Sequence, residues 1–152
     1  MTRPDFARTL LCTGANYYND DLVKEANKFA DVEKIERDTP AWALELASCH
    51  DRNKQPGYWR TLIKHLAKNL AVNPVYSFDD LKKISAPTLL MSGESDLWAN
   101  PKQMIDMRRS IPNAEMLIIN NAGHDIQITH PHIVGPAMLD FLIRHERSEA
   151  AA

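Results

Sequence analysis

No apolar run in the 152 residues approaches the length of a membrane-spanning helix, and the opening Met1-Thr2-Arg3-Pro4-Asp5 lacks the apolar core of a signal peptide. The chain therefore reads as cytoplasmic, with no membrane partner. Surplus charge is missing too: 18 basic residues stand against 20 acidic ones without a dense basic run, so nothing supplies the field that a phosphate backbone attracts. Nucleic acid is not an expected partner. Cysteine is scarce. Cys12 falls in a predicted buried strand and Cys49 in a predicted helix, without paired spacing, so both read as small core residues rather than a disulfide or metal pair. Internal repeats, heptad arrays and low-complexity tracts are absent. So is Gly-x-Ser-x-Gly, the sharp strand-to-helix turn that exposes a nucleophilic serine.

What is present is ordinary globular composition, 44% apolar and 25% charged, in a length that suits one domain and a real core. Thr9 to Thr13, closed by Gly14, is a short continuous apolar run, the pattern of a parallel strand buried on both faces. Pro87 to Met91 and Met116 to Ile119 read the same way, each followed by a helical pattern. Three parallel strands with flanking helices imply an α/β layer architecture. Between the first two strands, Ala15 to Ile84 carries only helical periodicity and reads as a helical cap insertion. There Thr39-Pro40 looks like a capping residue before a first-turn proline, placing Trp42, Leu46 and Cys49 on one face. Tyr58, Trp59, Leu62, Ile63, Leu66 and Leu70 form a stronger stripe on a helix expected to end near Asn73-Pro74. Asn53 to Gly57 is loop-like. Asn100-Pro101-Lys102-Gln103 predicts a capped helix through about Ser110, with the glutamine as the reciprocal capping partner. An interior Pro136 argues for starting the last helix there, leaving Pro131 to Gly135 as a turn and Met138, Phe141 and Leu142 on the buried face.

Two strand ends carry chemistry. Ala86 to Asp96 is a proline-started apolar run ending in a glycine turn and an aspartate; the next run ends in Asn121-Ala122-Gly123-His124-Asp125. An acid and a base at the same ends of two strands are two thirds of a Ser-His-Asp triad. The plainer readings are a turn or helix-capping aspartate and a surface histidine. His124, Asp125, His130 and His132 could in number fill a zinc shell, but His130-Pro131-His132 in an extended turn points its rings apart, and no metal or other cofactor is expected. His50-Asp51 and His65 read as polar surface or core filling. Ser92 and Ser95 flank the acid turn without the strained elbow of a nucleophile. Asp20 and Asp21 read as the start of a helix.

Leu81-x-x-Ile84-x-x-Pro87-Thr88, Gly93-x-x-Asp96, Ile111-Pro112-Asn113-Ala114-Glu115, Gly123-His124, Pro131 and Phe141-Leu142 occur in this order. On these features the stretch from Phe78 to Arg144 resembles the C-terminal part of the α/β-hydrolase fold family. Ala7 to Asn16 similarly resembles the family's sixth strand, and Trp42 to Leu66 a cap segment of its enol-lactonase-like branch. The resemblance implies a partial α/β-hydrolase fold in a single domain, 1–152, with residues 1–14 and 78–147 as hydrolase core and 15–77 as the helical cap. It gives Asp96 the place of the triad acid after strand seven and His124 that of the general base after strand eight. The aromatic cap positions Trp42, Tyr58 and Trp59 would then line a pocket for a small apolar substrate.

A full family member takes its nucleophile and oxyanion-hole amides from an N-terminal half with no counterpart in these residues. The resemblance thus implies a chain that supplies acid and base for ester- or lactone-type hydrolysis and is inactive alone. It also implies a strand edge, Thr9 to Thr13, lacking its usual neighbour, to be covered by a second copy in a homodimer or by another chain. The alternative is a noncatalytic binding or assembly module derived from the same framework. A natural short protein and a fragment of a longer enzyme fit the sequence equally.

Overall fold

The computed structural model describes residues 6–52 and 54–150, with side chains through residue 146. Contacts divide the chain into two compact units, one of residues 1–18 and 75–152 and one of residues 19–74.

The first unit is built on three parallel strands in the order β1 (Leu10–Thr13), β2 (Thr88–Gly93) and β3 (Ala114–Ile119). Leu10 pairs with Thr88 and Thr13 with Met91, while β2 and β3 run in register from Thr88–Ala114 to Gly93–Ile119. The continuous apolar run of β2 is explained by its central place. Alternate side chains leave on opposite faces, so Leu90 packs with Leu81, Ile84, Met104, Met107 and Ile111, while Leu89 and Met91 pack with Ile119, Ile126, Val134 and Phe141. All six β2 residues are buried. β1 differs from its expected burial on both faces. Leu10 and Cys12 join the first cluster, but Leu11 on the opposite face is 37% exposed, because the second cluster does not extend over the edge strand.

In chain order the helices are α1 (Asp21–Ala26), α2 (Val32–Asp38), α3 (Pro40–His50), α4 (Tyr58–Leu70), α5 (Phe78–Lys82), α6 (Pro101–Ser110), α7 (Ile126–Thr129) and α8 (Pro131–Ala150), with a 3-10 turn at Asn27–Phe29. α5 opens with a reciprocal cap between Ser77 and Asp80, the two ends of a Ser-x-x-Asp pattern. Asn100 caps α6 as expected, accepting from the Lys102 N–H at 3.0 Å. Gln103 does not complete that cap; it is buried and bonded elsewhere, to the backbone of Tyr17 and Tyr18.

α8 corrects the expected start at Pro136. The helix begins at Pro131, with Pro136 inside it. Pro136 is the sixth residue of the helix, beyond the first four N–H groups that lack intrahelical partners, so it forfeits one backbone bond. Starting a turn early also places Val134 on one stripe with Met138 and Phe141, in the cluster against β2 and β3. Leu142, expected on that stripe, is exposed instead. Arg144 ties α8 to β3, donating from Nη1 and Nη2 to the two Glu115 oxygens at 2.7 Å each. That guanidinium holds the Glu115 carboxyl below the usual carboxylate range.

The second unit holds α1 to α4. Ala30, Ile35, Trp59 and Ile63 form its core, with Trp42, Leu46, Leu66 and Leu70 packed around them. Asp20 caps α1 through the Val23 N–H at 2.9 Å, as a helix-starting aspartate should. Thr39 does not cap α3: its hydroxyl donates back to the Ile35 carbonyl at 3.1 Å, closing α2 instead. Cys49 is exposed rather than core. Asp51 takes the N–H groups of Gly57 and Trp59 at 2.7 and 3.0 Å, so it fastens the start of α4. Among the described residues no helix is long and apolar enough to cross a membrane.

Phe141 is fully buried, so Phe141→Ala should lower stability by about 3–5 kcal/mol through lost transfer energy and the cavity left behind. Urea denaturation measures this; a loss under about 1 kcal/mol would mean that α8 contributes little to the core.

Candidate active site

Asp96 and His124 leave the sheet at the same end, one after β2 and the other after β3, because parallel neighbours deliver their carboxyl ends together. The two loops are sewn to each other before either side chain is considered. Glu94 N–H donates to the Ile119 carbonyl at 2.9 Å, Ser95 N–H to the Ala122 carbonyl at 3.0 Å, and Asn121 N–H to a Glu94 carboxylate oxygen at 3.2 Å. Gly93 permits this approach: a Cβ there would overlap the carbonyl oxygens of Ala122 and Gly123.

The Asp96 side chain is 0% exposed and that of His124 is 35% exposed. A buried carboxylate is tolerated only when donors surround it. Oδ1 accepts from the N–H groups of Trp98 and Ala99, both at 2.9 Å. Oδ2 accepts from the Ser92 hydroxyl at 3.2 Å. His124 Nδ1 lies 3.1 Å from Oδ1 and 3.0 Å from Oδ2. With a carboxylate as acceptor, Nδ1 is the protonated nitrogen and Nε2 is left with its lone pair. The same carboxylate therefore holds its own turn and faces the His124 imidazole. The capping of α6 falls to Asn100. Trp98 packs edge-on to the imidazole, with ring centroids 5.3 Å apart.

Gly14, just past β1, forms the floor of the pair. Its φ is +57°, and a Cβ there would lie 2.6 Å from His124 Cε1, 2.8 Å from Nδ1 and 3.3 Å from Asp96 Oδ2. Both conformation and space demand glycine. The sequence showed it only as the residue that closes a strand.

Ser92 is 1% exposed with its hydroxyl turned to Asp96 and the Gly93 carbonyl, and Ser95 is exposed on the turn. Cys12 is a free, half-buried cysteine whose burial pushes the thiol pKa up, away from thiolate chemistry. His130 and His132 do not point apart as expected: their rings sit 6.1 Å apart at the start of α8, and the His130 ring contacts the Thr129 hydroxyl. Among the described residues no group of three or more His, Cys, Asp or Glu side chains is arranged to hold a metal ion. His50 and His65 are exposed. Of the three aromatics expected to face a substrate, Trp59 is 2% exposed inside the core of residues 19–74, Trp42 packs on the same core, and Tyr58 is half-buried with Lys54 Nζ 5.8 Å from its ring centroid.

The family model for the alpha/beta hydrolase fold matches residues 3–131. A 2-hydroxy-6-oxononadienedioate/2-hydroxy-6-oxononatrienedioate hydrolase of Cupriavidus pinatubonensis is 34% identical over 86 residues, 55% of this chain and 30% of that protein. Carboxylesterase YbfK of Bacillus subtilis is 36% identical over 70 residues, 45% of this chain and 23% of that one. Among solved structures, BpoC of Mycobacterium tuberculosis superposes on 93% of this chain and 60% of its own at a TM-score of 0.67 and 22% identity, a likeness of fold. The chain thus spans less than two thirds of the length of the proteins it matches.

Gly14→Ala should both strain the backbone, by about 1–2 kcal/mol for a left-handed non-glycine residue, and push the imidazole off Asp96. A crystal structure of the variant in which the Nδ1–carboxylate contact is unchanged would contradict this account of the floor.

Proposed function

The chain belongs to the alpha/beta hydrolase fold family, and on that footing we propose that it carries the acid and base of a hydrolytic triad, Asp96 and His124, for ester- or lactone-type substrates. The observation that supports the reading is the buried carboxylate bonded to one imidazole nitrogen of a histidine whose side chain is 35% exposed. Relatives named as a dienedioate hydrolase and a carboxylesterase favour hydrolysis as the reaction class.

In this mechanism His124 Nε2 takes the proton of a nucleophile's O–H or S–H as that atom adds to the substrate carbonyl carbon. Asp96 faces the imidazolium so formed and stabilises it without taking the proton itself. The proton then passes to the leaving oxygen as the C–O bond breaks, and a water repeats the cycle to release the acid. The nucleophile comes from outside these residues. Ser92 is enclosed and engaged with the acid, and no Gly-x-Ser-x-Gly turn is present. Without nucleophile and oxyanion hole, turnover falls by on the order of a million-fold or more.

In this proposal the strand edge from Thr9 to Thr13 is covered by a second copy of the chain, which continues the sheet, or by a separate chain that brings the nucleophile. β1 is outermost in its sheet, and Leu10 and Gly14 turn their N–H groups toward the β2 side. Alternation then directs those of Leu11 and Thr13 outward, where another strand can pair.

The chain alone should show no turnover of p-nitrophenyl esters and no labelling by a fluorophosphonate. Stoichiometric labelling that survives Ser92→Ala with Ser95→Ala would reveal a nucleophile within these residues and overturn the proposal. Sedimentation should detect a dimer or a complex; a monomer with freely exchanging Leu11 and Thr13 amides rejects the edge. Where a chain bearing a Gly-x-Ser-x-Gly turn restores activity, Asp96→Asn should cut it by on the order of ten-thousand-fold, because the amide favours the wrong imidazole tautomer. If no such chain restores activity, the noncatalytic binding module is the better reading.

A further inference from the structure

The orientation of Asp96 depends on a stretch with no regular structure of its own. Two of its hydrogen bonds come from the N–H groups of Trp98 and Ala99, so the carboxylate points at His124 only while residues 97–99 keep both donors convergent on Oδ1. That stretch ends at Asn100, before Pro101 opens α6.

A side chain from another part of the sequence is bonded to it at both ends. Asn16 Nδ2 donates to the Trp98 carbonyl at 2.6 Å, and Asn16 Oδ1 accepts the Asn100 N–H at 3.0 Å. One amide group therefore grips the backbone on both sides of Ala99. Asn16 is in turn fixed from both directions. Two residues before it, Gly14 N–H donates to the Met91 carbonyl at 2.9 Å. Just after it, buried Gln103 accepts from the N–H groups of Tyr17 and Tyr18 at 3.1 and 3.0 Å and donates to the Tyr18 carbonyl at 2.7 Å. The segment that places Gly14 under the imidazole thus also places Asn16 against the acid's loop.

We propose that Asn16 is a positioning residue for the acid–base pair: its side-chain amide sets the 97–99 backbone so that two N–H groups aim Asp96 at His124. The inference rests on the role given to that pair above, but its test reads the contact itself rather than turnover, so the two can fail separately.

The measurement is the proton NMR signal of His124 Nδ1–H in the ¹⁵N-labelled chain. In the unaltered protein the bonded proton should appear far downfield and exchange slowly with water. Asn16→Ala should lose it to exchange while far-UV circular dichroism stays unchanged. Asn16→Asp, which keeps an acceptor for the Asn100 N–H but sets a carboxylate oxygen against the Trp98 carbonyl, should lose it as well. Gln103→Ala removes one of the two fastenings of Asn16 but leaves its hydrogen bonds to residues 98 and 100 in place; it should lower the melting temperature and cost much less of the signal than Asn16→Ala.

A folded Asn16→Ala with the native signal overturns the proposal. So does loss of the signal in Gln103→Ala to the same extent, which would reduce Asn16 to general stability. If Asn16→Ala does not fold, Asn16→Asp decides on the same criterion. Absence of the signal from the unaltered protein would remove the pair that Asn16 is said to position, and with it both this inference and the assigned roles of Asp96 and His124.

Discussion

A carboxylate with no exposed surface is the constraint that organises the carboxyl end of the sheet. Left without partners, the Asp96 charge would cost several kcal/mol to bury. Its donors come from three places: two backbone amides of its own loop, a serine hydroxyl from the strand below, and a histidine from the next strand. None is supplied by a long flexible side chain, so little conformational freedom is lost in assembling them. The arrangement persists because neighbouring backbone segments are packed too closely to move independently. At Gly93 there is no room for even a methyl group.

Much of this was legible in the residue pattern where local rules govern. A strand covered on both faces reads as an unbroken apolar run, and β2 is one. Asparagine followed by proline starts a helix, and α6 starts there. An acid and a base after successive parallel strands are brought to one end by topology alone, which is why Asp96 and His124 could be paired on paper. Legibility failed where a local preference met a tertiary demand. Pro136 argued for a late helix start, yet burying Val134 beside Phe141 favoured an early one. Thr39 had the composition of a cap, but a carbonyl of the preceding helix lay within reach of its hydroxyl. Leu11 looked as buried as its neighbours because a sequence does not say which strand will lie at the edge.

The supporting residues of the site were illegible for a different reason. Asn16, Gln103 and Gly14 act on partners more than eighty residues away, with separations of 82 to 86 for the first two. Such contacts leave no spacing to recognise. Gln103 even carried a false local meaning, since its place three residues after Asn100 suits a capping box that the fold does not use. The aromatic residues of the helical unit show the reverse error. Trp42 and Trp59 invite a ligand-binding reading by their chemistry, but a four-helix unit of this size needs their area for its own interior.

The distance along the chain between β1 and its partner strand has a kinetic meaning. β1 cannot pair until the whole of residues 19–74 has been synthesised or gathered in, and closing so long a loop is entropically costly before any contact rewards it. Helices within that intervening stretch, by contrast, depend on near neighbours and can form early. The order of events is thereby built into the connectivity. The loop of residues 97–99 receives its hydrogen bonds from Asn16 only after β1 has docked, making the contact between Asp96 and His124 one of the last parts of the molecule to assemble and, when β1 peels away from the margin, among the first to come apart.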